Sequence, residues 1–206
     1  RRGAGPRDPR RRGTVAAGSD RGLRRRRFVV LHRHGTSNGD RHFLADPAGF
    51  ELIGGAAEGM RRLAQLGLGL VVVTNQSGVG RGIVDNDALA AIHDEMARQL
   101  EAVGVRLDGV YWCPHRPEDG CACRKPRTGL LERAAAELSF DPTEAFVVGD
   151  RPRDIEMGRA VGATTLLVRT GHGARFEREG RIRADHVVDD LREAAEVIGR
   201  LIEQSH

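Results

Sequence analysis

Leu68-Gly-Leu-Val-Val-Val-Thr-Asn-Gln-Ser-Gly78 is the stretch that decides the fold class. Its first part, Leu68–Val73, carries no polar side chain and is bounded by Gly67 on one side and by Thr74 and the turn residues after it on the other. An apolar run without polar alternation has both faces covered, which points to a buried parallel strand. Working outward, similar short runs recur at Phe28–Leu31, Val110–Trp112, Ala145–Val148, Thr164–Val168 and His186–Val188. Segments with helical spacing lie between them. Ala56–Leu66 places Met60, Leu63 and Ala64 on one face and stops at Gly67. A helix capped by Asp85 aligns Leu89, Ile92, Met96, Leu100 and Val103. Gly129–Leu138, Ile155–Val161 and a closing helix from Asp190 to Ile202 complete the set. Strands alternating with helices predict an α/β domain with a parallel sheet covered on both faces. In such sheets ligands bind beyond the carboxyl ends of the strands, and the unusual residues of this chain all sit at such ends.

Composition narrows the partners. At 206 residues the chain is long enough for one well-buried domain. Residues 1–27 hold eleven of its 33 basic residues and two of its 29 acidic ones, so the rest carries 22 basic against 27 acidic residues. The basic pI therefore belongs to the leader. Residues 1–27 are expected to be a disordered Arg-rich tail, and residues 28–206 the folded domain. No aromatic residue interleaves the arginines as a nucleic-acid stacking platform requires. No apolar stretch long enough for a secretory signal follows the charges, and the longest apolar run, Leu66–Val73, is too short to cross a bilayer. The expectation is a cytoplasmic protein with no nucleic-acid or membrane partner and, lacking an exposed heptad pattern, a monomer. Lys125 is the sole lysine. A chain that writes Arg almost everywhere and keeps one Lys points to a need there for a compact ammonium.

Cys113-Pro-His115, followed by Cys121-Ala-Cys123, places all 3 cysteines and one of 8 histidines in a single short loop. Three thiolates and one imidazole make a closed tetrahedral zinc set of the structural kind. Disulfides compete poorly: C-x-C pairs close badly, and an odd count leaves one thiol over. Zinc at Cys113, His115, Cys121 and Cys123 would fold a loop that has no core of its own.

Four strand ends follow in order: His32-Arg-His34-Gly-Thr36, Thr74-Asn75, Arg124-Lys125-Pro126, and Gly149-Asp150 with Asp154. Together they resemble the four motifs of the haloacid dehalogenase superfamily of phosphatases, over roughly residues 28–200. The zinc loop running straight into Arg124-Lys125-Pro126 resembles the subgroup that includes the histidinol-phosphatase domains. The resemblance implies a Rossmann-like fold and phosphomonoester hydrolysis of a small phosphorylated sugar, most like a sugar bisphosphate. It implies Thr74 as a hydroxyl donor to the phosphoryl group and Lys125 as the point charge joining nucleophile and phosphate. Arg124 would grip a second phosphate. Asp150 would ligate Mg²⁺, supported by Asp154. Asp40, Arg41, His42 and Phe43 would touch the sugar, with Asn75, Gln76, Ser77 and Arg151 as further substrate contacts. Thr128 stands where the family usually has proline.

The first motif departs from the family. Its two aspartates, nucleophile and general acid, are His32 and His34 here. No aspartyl-phosphate can form without a carboxylate at 32, and imidazole suits zinc or nickel better than Mg²⁺. His34 retains the capacity for general acid work near neutral pH. His32 as a substitute nucleophile is the remaining covalent route. Leu31-His-Arg-His-Gly35 also resembles the Arg-His-Gly signature of the histidine phosphatase superfamily, but the other motifs follow the dehalogenase order. The expectation is a sugar-phosphate phosphatase of reduced activity; the alternative is an inactive relative that binds a phosphorylated sugar.

Overall fold

The computed structural model describes residues 26–33, 44, 46–180 and 182–205. The leader up to residue 25, and with it His34, Asp40, Arg41, His42 and Phe43, lies outside the described residues.

Six parallel strands form one sheet: β1 (Phe28–Leu31), β2 (Gly69–Asn75), β3 (Gly109–Cys113), β4 (Phe146–Gly149), β5 (Thr164–Val168) and β6 (His186–Val188). Their order is β3-β2-β1-β4-β5-β6, and every pairing is parallel. The order reverses at β1, whose neighbours β2 and β4 run in register on either side, so the crevice above these three strand ends is a topological switch point.

Seven helices are described: α1 (Ala56–Gln65), α2 (Ser77–Gly80), α3 (Asn86–Glu101), α4 (Gly129–Leu138), α5 (Pro152–Ala160), α6 (Gly173–Arg178) and α7 (Leu191–Gln204). Side chains alternate across the sheet and split the core in two. On one face Val29, Leu31, Leu70, Val72 and Val148 meet Met60 and Leu63 of α1, Ile92, Met96 and Leu100 of α3, and Ile198 of α7. On the other, Val30, Val71, Val73 and Val147 meet Leu130, Leu131 and Ala134 of α4 and Met157 of α5. Each fully buried aliphatic of this kind contributes roughly 2 kcal/mol.

Local chemistry sets the helix starts. Asp85 accepts from Ala88 N at 2.7 Å to begin α3, and Asp190 accepts from Arg192 N at 2.8 Å to begin α7. Helix α5 begins at Pro152, three residues before the sequence pattern suggests, because Pro fits the first helical position and Asp154 accepts from Arg151 N at 3.2 Å, as the third residue of a capping box does. Val103 does not join the buried face of α3. The helix ends at Glu101, and Val103 is exposed in the turn that follows. Helices α2 and α6, of four and six residues, are too short to leave a periodic signal.

Arg26 and Arg27 are bonded into the fold. Arg26 Nη2 donates to Leu68 O at 2.9 Å and its Nη1 pairs with Asp108, while Arg27 Nε donates to Glu144 O at 3.0 Å. Among the described residues no helix is long and apolar enough to cross a membrane.

Candidate active site and zinc loop

The carboxyl ends of β1, β2 and β4 bring His32, Thr74, Asp150 and Asp154 together with Lys125. All five are buried. Thr74 and Asn75 are the last residues of β2, and Asp150 follows the last residue of β4. Asp154 reaches back from the first turn of α5. It can do so because Gly149 has no side chain: a Cβ there would stand 2.4 Å from Asp154 Cβ. Asp154 is thus both the charge that starts a helix and a member of the site.

Lys125 enters between β2 and α4. The Asn75 amide clamps its backbone, Oδ1 accepting from Lys125 N at 3.0 Å and Nδ2 donating to Lys125 O at 3.1 Å. The Lys125–Pro126 peptide is cis. The ammonium donates to Val73 O at 2.7 Å and to His32 Nδ1 at 2.9 Å. It also stands 2.6 Å from Asp154 Oδ1, in the alignment of an ion pair and not of a hydrogen bond. Burial lowers the Lys125 pKa and the Asp154 carboxylate opposes that.

This arrangement fixes the His32 ring. An ammonium has donors only, so Nδ1 must be the acceptor, and the proton of the neutral imidazole sits on Nε2. Nε2 faces Asp150 Oδ1 at 4.0 Å. Asp150 Oδ2 accepts from His172 N at 3.0 Å, while Oδ1 is buried and has no hydrogen-bond partner among the described residues. Burial, with Asp154 nearby, pushes the Asp150 carboxyl up to about 6.

A cavity of about 440 Å³ opens beside Lys125, lined by Arg124, Arg127, Arg153 and the zinc loop. Arg124 is braced against that loop, its Nη1 donating to His115 O at 3.0 Å. Arg127 donates to the carbonyls of Gly120 and Cys121 on that loop. Arg153 Nε is buried without a hydrogen-bond partner among the described residues. Arg151 lies 3.9 Å from Asp150 Oδ2, and Ser77 opens α2.

In the loop, Cys113, His115, Cys121 and Cys123 converge. Sulfur–sulfur separations are 3.6, 3.2 and 3.4 Å, and His115 Nδ1 lies 3.6 Å from Cys113 Sγ and 3.3 Å from Cys123 Sγ. A tetrahedral zinc with bonds of about 2.0–2.3 Å sets ligand atoms roughly 3.5–3.8 Å apart, so this donor set fits zinc with a small expansion. Burial and the Cys123 thiol push Cys113 up to about 12. Cys121, opposed by burial but stabilised as thiolate by bonds from Cys123 and Cys113, is brought down to about 7. Four crowded donors that share protons this unevenly are relieved when one cation replaces the protons.

Known proteins share this sequence pattern and fold. A HAD-hydrolase-like family profile matches residues 122–194. The D-glycero-β-D-manno-heptose-1,7-bisphosphate 7-phosphatase of Haemophilus influenzae is 37% identical over 182 residues, covering 84% of this chain and 97% of the relative. Its Escherichia coli K12 namesake is 36% identical over 178 residues, covering 82% and 92%. The crystal structure of D,D-heptose 1,7-bisphosphate phosphatase from B. bronchiseptica, complexed with magnesium and phosphate, superposes with a TM-score of 0.80 at 35% identity, covering 85% of this chain and 99% of that one.

The chain belongs to the HAD phosphatases.

Among the described residues a second group able to hold a metal is His32, Asp150 and Asp154. Mg²⁺ takes hard oxygen donors. Here one anionic oxygen, Asp150 Oδ1, has no hydrogen-bond partner among the described residues, Asp154 Oδ1 is engaged by Lys125, and the remaining position presents an imidazole N–H. These donors do not fit a HAD magnesium site.

Three buried or cavity-lining residues escaped sequence reasoning. Arg33 is 1% exposed, although its place between two histidines drew attention to them and not to it. His93 sits on the inner face of α3 beside Ile92, a signal available in the helical spacing. Arg153 gave no signal beyond its distance from Asp150.

Proposed function

We propose that this chain binds a sugar bisphosphate and removes one phosphate, as a phosphomonoesterase of the D-glycero-β-D-manno-heptose-1,7-bisphosphate 7-phosphatase kind, with turnover slowed by His32. The observation that carries the reading is Lys125: the sole lysine, buried at the strand ends with its ammonium against Val73 O, His32 and Asp154, beside the cavity that Arg124 lines. Phosphoryl transfer asks for fixed positive charge and donors around the equatorial oxygens. Thr74 and Lys125 supply them, Asn75 holds Lys125 in place, and Arg124 with Arg153 takes the second phosphate. Ser77, Gln76 and Arg151 border this group; Asp40, Arg41, His42 and Phe43 are the proposed sugar contacts. Zinc at the Cys113, His115, Cys121 and Cys123 set keeps Arg124 aimed, since Arg124 leans on His115 O.

His32 is not the nucleophile in this reading. Attack through Nε2 needs a lone pair there, and the ammonium on Nδ1 leaves Nε2 protonated. The phosphoryl group passes to water instead. The new P–O bond forms from water, whose proton goes to Asp150 Oδ1, and the sugar oxygen leaves with a proton from His34. No step runs through a metal.

The same ring geometry favours a second reading, binding of the phosphorylated sugar without turnover. The deciding experiment measures phosphate release from D-glycero-D-manno-heptose 1,7-bisphosphate and from histidinol phosphate, with the parent and with a His32→Asp, His34→Asp double variant. Multiple turnover by the parent, lost in Lys125→Met, supports the enzyme. A silent parent beside an active double variant leaves the binding protein.

A further inference from the structure

We propose that Arg33 and Gln76 are positioning residues that fix the Thr74 hydroxyl as a hydrogen-bond donor to a phosphoryl oxygen. This rests on the reading of Thr74 as a phosphoryl contact given above. Arg33 directly follows His32 and is buried across the strand ends from α3. Its Nη2 donates to Gln76 Oε1 at 3.0 Å, and its Nη1 lies 3.2 Å from His93 Nε2.

A guanidinium has donors only, which settles the orientation of both neighbours. His93 must offer Nε2 as an acceptor, and burial with Arg33 beside it keeps this ring neutral by lowering its pKa to about 4. Gln76 must turn its oxygen to Arg33, which points its amide nitrogen at Thr74. Gln76 Nε2 lies 2.8 Å from Thr74 Oγ1. An amide N–H can only donate, so the Thr74 oxygen accepts and its hydrogen must point elsewhere.

Thr74 is fully buried, and its hydroxyl donates to no described residue. A buried donor without an acceptor costs free energy that an incoming acceptor recovers. Phosphoryl oxygens at neutral pH are acceptors. A hydroxyl free to rotate would present a lone pair to the anion part of the time; the Arg33–Gln76 relay removes that orientation. His93, tilted against Trp112 with ring centroids 5.3 Å apart, steadies the guanidinium from the other side.

The test titrates inorganic phosphate by calorimetry into the parent, Thr74→Ala, Gln76→Glu and the double variant, each checked for folding by thermal unfolding. A glutamate at position 76 still accepts from Arg33 but offers Thr74 an oxygen, so the hydroxyl hydrogen turns away from the site. The expected result is about tenfold weaker binding for each single variant. In the Thr74→Ala background, Gln76→Glu should cost no more than about twofold. An equal loss in both backgrounds would mean simple charge repulsion and would overturn the relay, as would parent-like binding by Gln76→Glu. If Thr74→Ala binds as the parent does, Thr74 makes no phosphate contact, and the site reading falls together with this inference. Should the Gln76→Glu variant not fold, Gln76→Met serves: it loses the donor, and about a threefold loss must appear when Thr74 is intact and vanish in the Thr74→Ala background.

Discussion

Lys125 Nζ stands 2.9 Å from His32 Nδ1 and 2.6 Å from Asp154 Oδ1, so one ammonium joins an imidazole and a carboxylate that are 3.9 Å apart. Val73 O and His32 Nδ1 take two of its hydrogens, and Asp154 balances its charge as an ion pair. The cation is charge-balanced inside the protein. It holds His32 in the tautomer that points an N–H, and not a lone pair, toward Asp150.

Removing that ammonium strands a charge. Asp154 is 1% exposed, so Lys125→Met should destabilise the fold by about 3–5 kcal/mol in urea denaturation, because an unpaired carboxylate would remain buried. Adding Asp154→Asn should restore a large part of the loss. Strictly additive effects of the two changes would contradict the pairing.

Gly149 makes the contact sterically possible. A Cβ at 149 would meet Asp154 Cβ, Cγ and Oδ2 between 2.4 and 2.7 Å, with no room to yield beneath the sheet end. Gly149→Ala should therefore push Asp154 off Lys125, lower stability by roughly 1–3 kcal/mol and weaken phosphate binding. Stability and calorimetric titration on the same preparation check both effects.

His93 gives the fold a pH dependence of known sign. Burial and Arg33 lower its pKa from 6.5 to about 4, so between those values the unfolded chain binds a proton that the folded chain refuses. Stability should fall as pH drops through this window, by about 3 kcal/mol in total, and this share of the loss is complete below about pH 4. His93→Gln should flatten that part of the stability–pH curve, measured by denaturant titration at half-unit steps.

The Cys113, His115, Cys121 and Cys123 set should carry one zinc per chain when purified protein is analysed by mass spectrometry of metals. Chelation or Cys121→Ser should lower the thermal midpoint by about 5 °C or more, because the loop has no apolar core to hold it. Affinity for a sugar bisphosphate should fall as well, since Arg124 rests on the carbonyl of His115.

The legible parts of this chain are those where one residue type has one physical use. Leu68–Val73 reads as a buried strand because nothing in it can face water. Asp85 reads as a cap because a short carboxylate before a periodic run has backbone N–H groups to accept, and it accepts one. The convergence of Cys113, His115, Cys121 and Cys123 is legible from ligand count and spacing alone, and the special place of Lys125 from its being the single lysine. Val103 misled because helical period extends on paper past the point where the backbone turns.

The sequence by itself determined the alternation of strands and helices, the clustering of three cysteines and a histidine in one loop, the order of the four strand-end motifs and the presence of histidines at 32 and 34. These are properties of local pattern and residue chemistry. Tertiary structure alone decided which way each polar group points. Asn75 clamps the Lys125 backbone, Gln76 turns to Thr74, Arg33 is buried against His93, and the imidazole of His32 gives its lone pair to an ammonium 93 residues away. Hydrogen-bond direction depends on what lies opposite, and in a parallel sheet the opposite residue comes from a distant part of the chain.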